Sequence, residues 1–252
     1  MSQRVLITAG AGGIGLAIAK AFVANGARVH IADVNAEAVA AIVAENENIT
    51  GSVGDISKAE DLEVLFKDIE EQLGGLDVLV NNAGIAGATA PANDYPIDTW
   101  AAVVNINLTG TLMVTQRAIP LLKESDAGSI LVMSSLAGRF GYPNRIAYAT
   151  TKWGLVGFAK TLALELGDFG ITANTIHPGA VEGPRMGSVL AGRAEANGTT
   201  VEEETNKALD NQSIRKFIDP NDIAQLALFL AGPHARTISG QMFPIDGDSK
   251  HS

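Results

Sequence analysis

The stretch Val5-Leu6-Ile7-Thr8-Ala9-Gly10-Ala11-Gly12-Gly13-Ile14-Gly15 decides the fold class of this chain of 252 residues. A short β-branched run is followed by a glycine-rich turn and then by an apolar, alanine-rich segment from about Leu16 to Asn25. This pattern predicts a strand, a tight turn and a helix. Glycines in such a turn let the backbone approach a pyrophosphate, and the amino terminus of the helix offers unpaired N–H groups to the anion.

The spacing Gly10-x-Gly12-x-x-Gly15 fits the fingerprint of a dinucleotide-binding turn. Turns of this kind also serve many connections that bind nothing, so the neighbouring sequence has to decide. A second predicted strand, residues 27–32, ends at Asp33, about 20 residues beyond the glycines, where an acid can bind ribose hydroxyls. The alternative interpretation of Asp33 is a solvated acid in a turn.

Strand and helix patterns alternate along the rest of the chain. This predicts a single-domain α/β fold, a Rossmann-like doubly wound parallel sheet of about seven strands with helices on both faces. The other predicted strands are 49–53, 76–80, 128–133, 172–176 and 240–245, and the later helices are 36–45, 58–73, 97–122, 148–166 and 219–230.

No repeat or composition break divides the chain, so we expect one dinucleotide-binding and catalytic domain over residues 1–252. The long helix 148–166 has few charges, which predicts that it is covered on both sides. Residues 184–213 contain many charged residues and are interrupted by glycines, and they are the best candidate for a mobile substrate lid.

Composition excludes several classes of partner. The net charge of −10 argues against a nucleic acid or an anionic membrane, because both attract basic surfaces. There is no cysteine and therefore no disulfide, and no apolar run is long enough for a membrane span. With no signal-type segment, we expect a cytoplasmic protein. The four histidines, His30, His177, His234 and His251, lack metal-ligand spacing, so no metal site is expected.

The candidate chemistry lies between Ser134 and Lys152. Tyr148 and Lys152 are four residues apart and so share one side of a predicted helix. A fixed ammonium close to a phenol favours the phenolate and makes it more useful in proton transfer. Such a pair also occurs by chance on helix surfaces, but here a buried-strand pattern ends at Ser134-Ser135 just before it. Active groups of open α/β sheets gather at the carboxyl ends of strands, which places Ser135 as a catalytic hydroxyl.

Two further polar positions have open interpretations. Asp55 follows the third predicted strand and could contact an adenine edge or begin the next helix as a cap. Asn105 and Asn107 lie in the apolar helix 97–122 and cannot share a face at that spacing. A buried asparagine there needs hydrogen-bond partners, so a purely structural role is one interpretation.

Taken together, several motifs in one order resemble the short-chain dehydrogenase/reductase family over nearly the whole chain. They are Thr8 to Gly15, Asn81-Asn82-Ala83-Gly84, Asn107, Ser135, Tyr148-x-x-x-Lys152 and Pro178-Gly179. The resemblance implies hydride transfer between a nicotinamide cofactor and a secondary alcohol or ketone. It assigns proton exchange to Tyr148, support of the phenolate and ribose binding to Lys152, the substrate oxygen to Ser135, and a water-linked proton relay to Asn107.

The expected cofactor is NAD, because Asp33 would bind ribose hydroxyls and repel the 2′-phosphate of NADP. The resemblance also implies a small-molecule substrate and a homotetramer formed through the long apolar helices. The predicted cofactor contacts are Gly10, Gly12, Gly13, Ile14, Gly15, Asp33, Asp55, Ile56, Asn82, Ala83, Gly84, Tyr148, Lys152, Pro178, Gly179 and Val181.

The chain departs from the family pattern at two positions. Ala9 replaces the usual glycine after Thr8, and we expect Gly10 to supply the missing conformational freedom. Gly183 replaces a threonine that commonly helps to bind the nicotinamide amide, which alters the expected substrate mouth. Two other functions remain as hypotheses, namely a non-catalytic NAD(H) sensor and a lyase or epimerase that uses the cofactor transiently. Arg185, Arg193, Arg215 and Lys216 could meet an acidic substrate, yet neighbouring glutamates are equally consistent with a solvated surface.

Overall fold

A computed structural model describes residues 2–250, and within them all seven strands form one parallel sheet. The strand order across the sheet is β3-β2-β1-β4-β5-β6-β7. The strands are β1 (Arg4–Thr8), β2 (Arg28–Asp33), β3 (Ile49–Val53), β4 (Val78–Asn81), β5 (Ser129–Met133), β6 (Thr172–Pro178) and β7 (Met242–Ile245). The predicted Rossmann-like α/β fold with a doubly wound sheet is confirmed.

Helices cover both faces of the sheet. The helices are α1 (Gly13–Ala24), α2 (Ala36–Glu45), α3 (Ala59–Leu73), α4 (Ile97–Val104), α5 (Thr111–Lys123), α6 (Ile146–Leu166), α7 (Pro184–Asn197), α8 (Val201–Asp210) and α9 (Pro220–Leu230). One apolar cluster joins the sheet to α1, α2 and α9, and a second joins its other face to α3, α5 and α6. Both faces of the central strands are therefore buried, which explains why β5 and β6 are buried along their whole length.

The prediction of a single helix over residues 97–122 is wrong in one respect, because the helix is interrupted. A π-helical turn, Asn105–Gly110, separates α4 from α5. Gly110 in this turn packs against Ile56, where a Cβ atom would lie 2.9 Å from a side-chain carbon of that isoleucine. The π turn therefore changes the helical phase where the helix passes the sheet, as such turns often do at functional sites.

The prediction that helix 148–166 is covered on both sides does not hold within one chain. Leu155, Ala159 and Leu162 of α6 are buried in the core, whereas Trp153 and Leu164 on the outer face are 48% and 86% exposed. One face of α6 is thus available to another molecule.

The chain order creates the cleft. From β1 the chain winds outward to β3 and then crosses back to β4 on the other side of β1, so the carboxyl ends of β1 and β4 diverge at a switch point. Ligands of open α/β sheets bind in the crevice at such a point. The loops after β1, β4 and β5 carry the glycine turn, Asn82 and Ser135, and the fold therefore brings the predicted motifs to one edge.

The predicted lid, residues 184–213, contains the two helices α7 and α8. Helix α8 begins with a capping box, in which the Thr200 side chain accepts from the Glu203 N–H and the Glu203 carboxylate accepts from the Thr200 N–H. Whether this segment moves stays a prediction.

Among residues 2–250, no helix is long and apolar enough to cross a membrane. The same residues contain no group of three potential ligands that could bind a metal ion, and His251 lies outside them.

Candidate active site

Tyr148 and Lys152 lie on the first two turns of α6. The Lys152 side chain is 4% exposed, and its Nζ atom lies 5.6 Å from the centre of the Tyr148 ring. Nζ donates a hydrogen bond of 2.7 Å to the carbonyl of Met133, the last residue of β5. The ammonium is therefore anchored at the carboxyl end of the sheet, beside the tyrosine, as the four-residue spacing predicts.

Ser135 follows β5 directly, at the predicted place. Its Oγ atom accepts from the Ala137 N–H at 3.2 Å and begins a short 3₁₀ turn at Leu136–Gly138. The preceding residue, Ser134, donates to the Lys152 carbonyl at 2.9 Å, which fixes the strand end against α6. The loop that carries both serines, called the serine loop below, is thus joined to the Tyr148 helix by the Ser134 hydroxyl and the Lys152 ammonium.

Asn107 is fully buried in the π turn, and its side chain joins the loop after β4 to helix α6. Its Oδ1 atom accepts from the Ile85 N–H at 2.8 Å, while Nδ2 donates to the Ile85 carbonyl and to Thr151 Oγ1, both at 3.0 Å. Thr151 in turn donates to the Tyr148 carbonyl at 2.9 Å. Asn107 therefore positions the first turn of α6, and its side-chain atoms are occupied by structural bonds. Asn105, by contrast, is exposed.

The glycine turn has a conformation that the sequence did not predict correctly. The left-handed backbone occurs at Ala9, with φ of 50°, and at Gly13, with φ of 51°, and not at Gly10. Gly10 is needed for a different reason, because a Cβ atom there would lie 2.7 Å from the Ile31 side chain. The expectation that Gly10 compensates for Ala9 is therefore wrong, and Ala9 itself adopts the unfavourable conformation.

The rest of the turn separates into packed and open positions. Gly15 packs against the Ala9 carbonyl and the Asn82 amide, leaving no room for a Cβ atom. At Gly12 and Gly13 a Cβ atom would meet nothing within 4 Å, and α1 begins there without an acidic residue in its first turn. The open side of the turn thus faces away from the core with unpaired helical N–H groups, as an anion site requires. Ile14 follows in this first turn.

Thr8 and Asn82 join the ends of β1 and β4. Thr8 Oγ1 accepts from the Asn82 and Ala83 N–H groups, both at 3.0 Å. Asn82 Nδ2 donates to the Thr8 and Ala9 carbonyls at 3.0 and 3.1 Å. The sequence analysis predicted Asn82 but not the role of Thr8, whose position at the end of β1 was the available signal.

Gly84 lies between two predicted catalytic groups. A Cβ atom at this position would lie 3.1 Å from Asn107 Oδ1 and 3.5 Å from Lys152 Nζ. Gly84 is therefore closely packed against Asn107 and Lys152, and a side chain at this position would press on both groups.

Asp33 ends β2 beside the glycine turn. Its two carboxylate oxygens accept from the Ala11 and Asn35 N–H groups, each at 3.1 Å. An ionised carboxylate has about four lone-pair positions, so two bonds leave acceptor capacity for ribose hydroxyls.

Asp55 has a local structural role in addition to any binding role. Its Oδ1 atom accepts from the Ser57 N–H at 2.9 Å and from the Ser57 hydroxyl at 2.8 Å. Lys58 is the N-cap residue that precedes α3, so the interpretation of Asp55 as the helix cap is wrong. Asp55 and Ile56 line a small groove with Ala32 and Val53 at the ends of β2 and β3, and the adenine contact of Asp55 stays a prediction.

His177 is a residue whose role the sequence analysis missed. It is fully buried in β6, and its Nδ1 atom lies 3.0 Å from the Ser135 carbonyl. A carbonyl only accepts, so Nδ1 carries the proton and Nε2 accepts from the Thr175 hydroxyl at 2.8 Å. Burial lowers the pKa of His177 to about 4, and the neutral ring supports the serine loop. Its position just before Pro178-Gly179 at a strand end was the signal.

An ion pair also supports the serine loop. Arg139 Nη1 lies 2.7 Å from Asp246 Oδ2, and the Asp246 side chain is only 6% exposed. Gly179 packs on the same residue, because a Cβ atom there would lie 2.8 Å from the Asp246 Cα atom. The segment after β7 is thereby fixed to the loops after β5 and β6.

The loop after β6 explains the second departure from the family pattern. Val181 forms a parallel bridge with Ile218 in which the neighbouring residues make the hydrogen bonds, so the Val181 N–H points away from that bridge. Gly183 precedes α7 with φ of 141°, a conformation almost confined to glycine. A threonine in its place would strain the start of α7.

These residues fit a nicotinamide dinucleotide. The open glycine turn suits a pyrophosphate, and the carboxylate of Asp33 suits a ribose. The same edge of the sheet carries Ser135 and Tyr148.

Comparisons with known proteins agree with this site. A family model described as Enoyl-(Acyl carrier protein) reductase matches residues 9–247. D-beta-hydroxybutyrate dehydrogenase of Cupriavidus necator is 36% identical over 251 residues, which cover 97% of this chain and 96% of that protein.

Two solved structures have nearly the same fold. Actinorhodin polyketide ketoreductase with NADPH has a TM-score of 0.93 at 30% identity, and the match covers 98% of this chain and 96% of the ketoreductase chain. NAD⁺-bound xylitol dehydrogenase has a TM-score of 0.92 at 29% identity and covers 97% of this chain and 98% of its own.

With this site and these similarities, the chain belongs to the short-chain dehydrogenase/reductase family. It is an oxidoreductase of the kind that transfers hydride between a nicotinamide cofactor and a secondary alcohol or ketone.

Proposed function

We propose that the protein is an NAD-dependent dehydrogenase in which Tyr148 exchanges the proton of the substrate hydroxyl. The observation that carries this proposal is the buried Lys152 ammonium, anchored on the Met133 carbonyl 5.6 Å from the Tyr148 ring. A cation fixed at that place favours the phenolate, which can accept a proton from an alcohol.

The remaining residues would act on position and charge. Ser135, on a loop fixed by His177 and Ser134, would donate to the substrate oxygen. Asn107 would hold the Tyr148 turn through Thr151 and would in this way support the water-linked proton relay. The nicotinamide of the cofactor, when bound, would supply hydride acceptance.

The activity is tested with a panel of hydroxy acids, sugars, polyols and cyclic alcohols, with reduced cofactor measured by its absorbance. We expect at least one compound to yield NADH. Binding of NAD without turnover of any compound would favour the sensor hypothesis. Turnover of a substrate without net reduction of the cofactor would favour the lyase or epimerase hypothesis.

Preference for NAD over NADP is proposed from the charge at Asp33. A 2′-phosphate would lie against this carboxylate and would remove a hydroxyl donor, and Ala11 and Val34 on either side supply no basic group. The relative named above with NADPH and the one with NAD⁺ show that the fold accepts both cofactors.

We expect kcat/KM to be about a hundredfold higher with NAD, the size expected from one lost hydrogen bond plus a like-charge contact. Asp33→Ser should narrow this ratio, as measured on one substrate with both cofactors. Equal efficiencies in the unchanged enzyme would mean that Asp33 does not bind the ribose.

A homotetramer is also part of the proposal, supported by the exposed apolar residues of α5 and α6. Both helices pack their inner faces into the same core cluster, so Leu112, Trp153 and Leu164 project from the same side of the molecule. Large exposed apolar side chains on one side of a molecule are typical of subunit contacts. The cytoplasmic location expected from the sequence stays a prediction.

A further inference from the structure

Helix α7 carries an arginine on its inward face. Leu190 and Ala194 are buried, and Arg193 is half-buried. Arg193 lies three residues after Leu190 and directly before Ala194. Residues three and four apart share one face of a helix, so the guanidinium is directed toward the body of the molecule. An arginine in an otherwise apolar stripe is costly unless it has a partner.

The partner of Arg193 is a neutral group. Its Nη2 atom donates to the Tyr142 hydroxyl at 2.6 Å, and no carboxylate within residues 2–250 forms an ion pair with it. A guanidinium has five N–H donors, so most of them stay available. The tyrosine oxygen accepts this bond, which leaves its own O–H free to donate. The remaining N–H groups of Arg193 and the O–H of Tyr142 are therefore neighbouring donors for which the described residues supply no acceptor.

Three acidic residues of α8 are engaged in other contacts. Glu204 accepts from Lys207 at 2.7 Å and from Thr199 at 2.8 Å, and the lysine lowers its pKa to about 2. Glu203 closes the capping box of α8. Arg215 pairs with Asp210 at 2.5 Å. Among the cationic side chains that the structure describes in α7 and α8, Arg193 is the one that faces inward without a counterion.

The contact involves the chain segment that connects Ser135 to Tyr148. Tyr142 belongs to the loop between Ser135 and Tyr148, and its carbonyl accepts from the Arg145 N–H immediately before α6. Helix α7 starts just beyond β6, the neighbour of β5. The Arg193 to Tyr142 bond therefore joins the predicted lid to the loop that leads into Tyr148.

We propose that Arg193 and Tyr142 bind the carboxylate of the substrate, so that the enzyme acts on hydroxy acids in preference to neutral alcohols. This inference rests on the proposed function and names the substrate class of the same site. A carboxylate matches the planar guanidinium in a bidentate contact and accepts from the phenol as well, which makes Arg193 a specificity-determining residue.

The first test compares acids with their methyl esters, using pairs such as 3-hydroxybutanoate and 4-hydroxycyclohexanecarboxylate. We expect the acid to have the higher kcat/KM, and Arg193→Gln to lower the acid-to-ester ratio by roughly 10–100-fold, mainly through KM. Arg193→Lys should lie between the two. Arg215→Gln, which removes an exposed arginine of the same region, is the control and should leave the ratio unchanged.

The second test does not need turnover. Butanoate should raise the thermal midpoint of the NAD-saturated enzyme more than butanamide does, and Arg193→Gln should remove the difference. An unchanged acid-to-ester ratio in Arg193→Gln overturns the inference and leaves the proposed function standing. Butanoate protection without hydride transfer to or from any pair would instead contradict the proposed function. Equal protection by butanoate and butanamide would overturn the carboxylate site.

Discussion

Ala9 shows how a single residue departs from both the family pattern and the backbone preference of its own type. Its φ of 50° is left-handed, where an L-residue with a Cβ atom costs roughly 1–2 kcal/mol. Gly15 and Asn82 pack against the Ala9 carbonyl, so this conformation is imposed by the closure of the turn.

We expect Ala9→Gly to raise the free energy of unfolding by about 1 kcal/mol, because relief of the left-handed strain exceeds the added entropy of the unfolded chain. Chemical denaturation measures this change. Ala11→Gly is the matched control, since Ala11 has no positive φ, and it should destabilise the protein. A loss of stability in both variants would contradict the assignment of strain to Ala9.

Among the secondary-structure elements, β2, β3 and α3 are joined by a buried hydrogen-bond network whose contribution to protein stability depends on pH. His30 Nδ1 lies 2.8 Å from Thr50 Oγ1, and Nε2 lies 2.8 Å from Ser52 Oγ, which donates to Asp68 at 2.5 Å. Because Ser52 gives its proton to the carboxylate, it accepts from His30 Nε2–H. Burial lowers the pKa of His30 from 6.5 to about 4, against the smaller opposing effect of Asp68.

The unfolded chain therefore protonates His30 at a higher pH than the folded chain does. The contribution of neutral His30 to the free energy of unfolding is complete above about pH 6.5. It decreases as the pH falls toward 4, by about 2 kcal/mol between pH 7 and pH 5. His30→Gln should lower stability at pH 7 but reduce its pH dependence by that amount in denaturant titrations. His234→Gln, at an exposed position, should keep the full dependence.

The type and order of the elements could be predicted from the sequence, but several local details could not. Periodicity and turn residues located every strand, because a strand buried on both faces has a continuous apolar pattern. The π turn at Asn105–Gly110 has no such pattern, since it depends on packing against Ile56 from another part of the chain.

The same limit applies to the site. Ser135, Tyr148 and Lys152 follow from their spacing and from the strand that precedes them. Thr151, His177 and Asp246 act through hydrogen bonds or an ion pair to residues distant in sequence, and only the folded chain shows these pairs.

At the scale of the whole molecule, the exposed face of α5 and α6 predicts assembly. We expect light scattering at micromolar concentration to show a tetramer, and Trp153→Glu combined with Leu164→Glu to produce smaller species, because burial of a charge opposes association. Phe229→Glu is the control, since Phe229 is an exposed apolar residue of α9, which covers the opposite face of the sheet. A monomer in the unchanged protein would contradict the proposal.

The central proposal is that the fold brings Lys152 and the serine loop close to Tyr148, so that this tyrosine can transfer a proton. Turnover by Tyr148→Phe tests it most directly, because the change removes one oxygen and keeps the ring. We predict that kcat falls by roughly 10²–10⁴-fold, the usual contribution of a positioned acid or base, while the dissociation constant of NAD changes little. A Tyr148→Phe enzyme with a rate close to that of the unchanged protein would contradict the account.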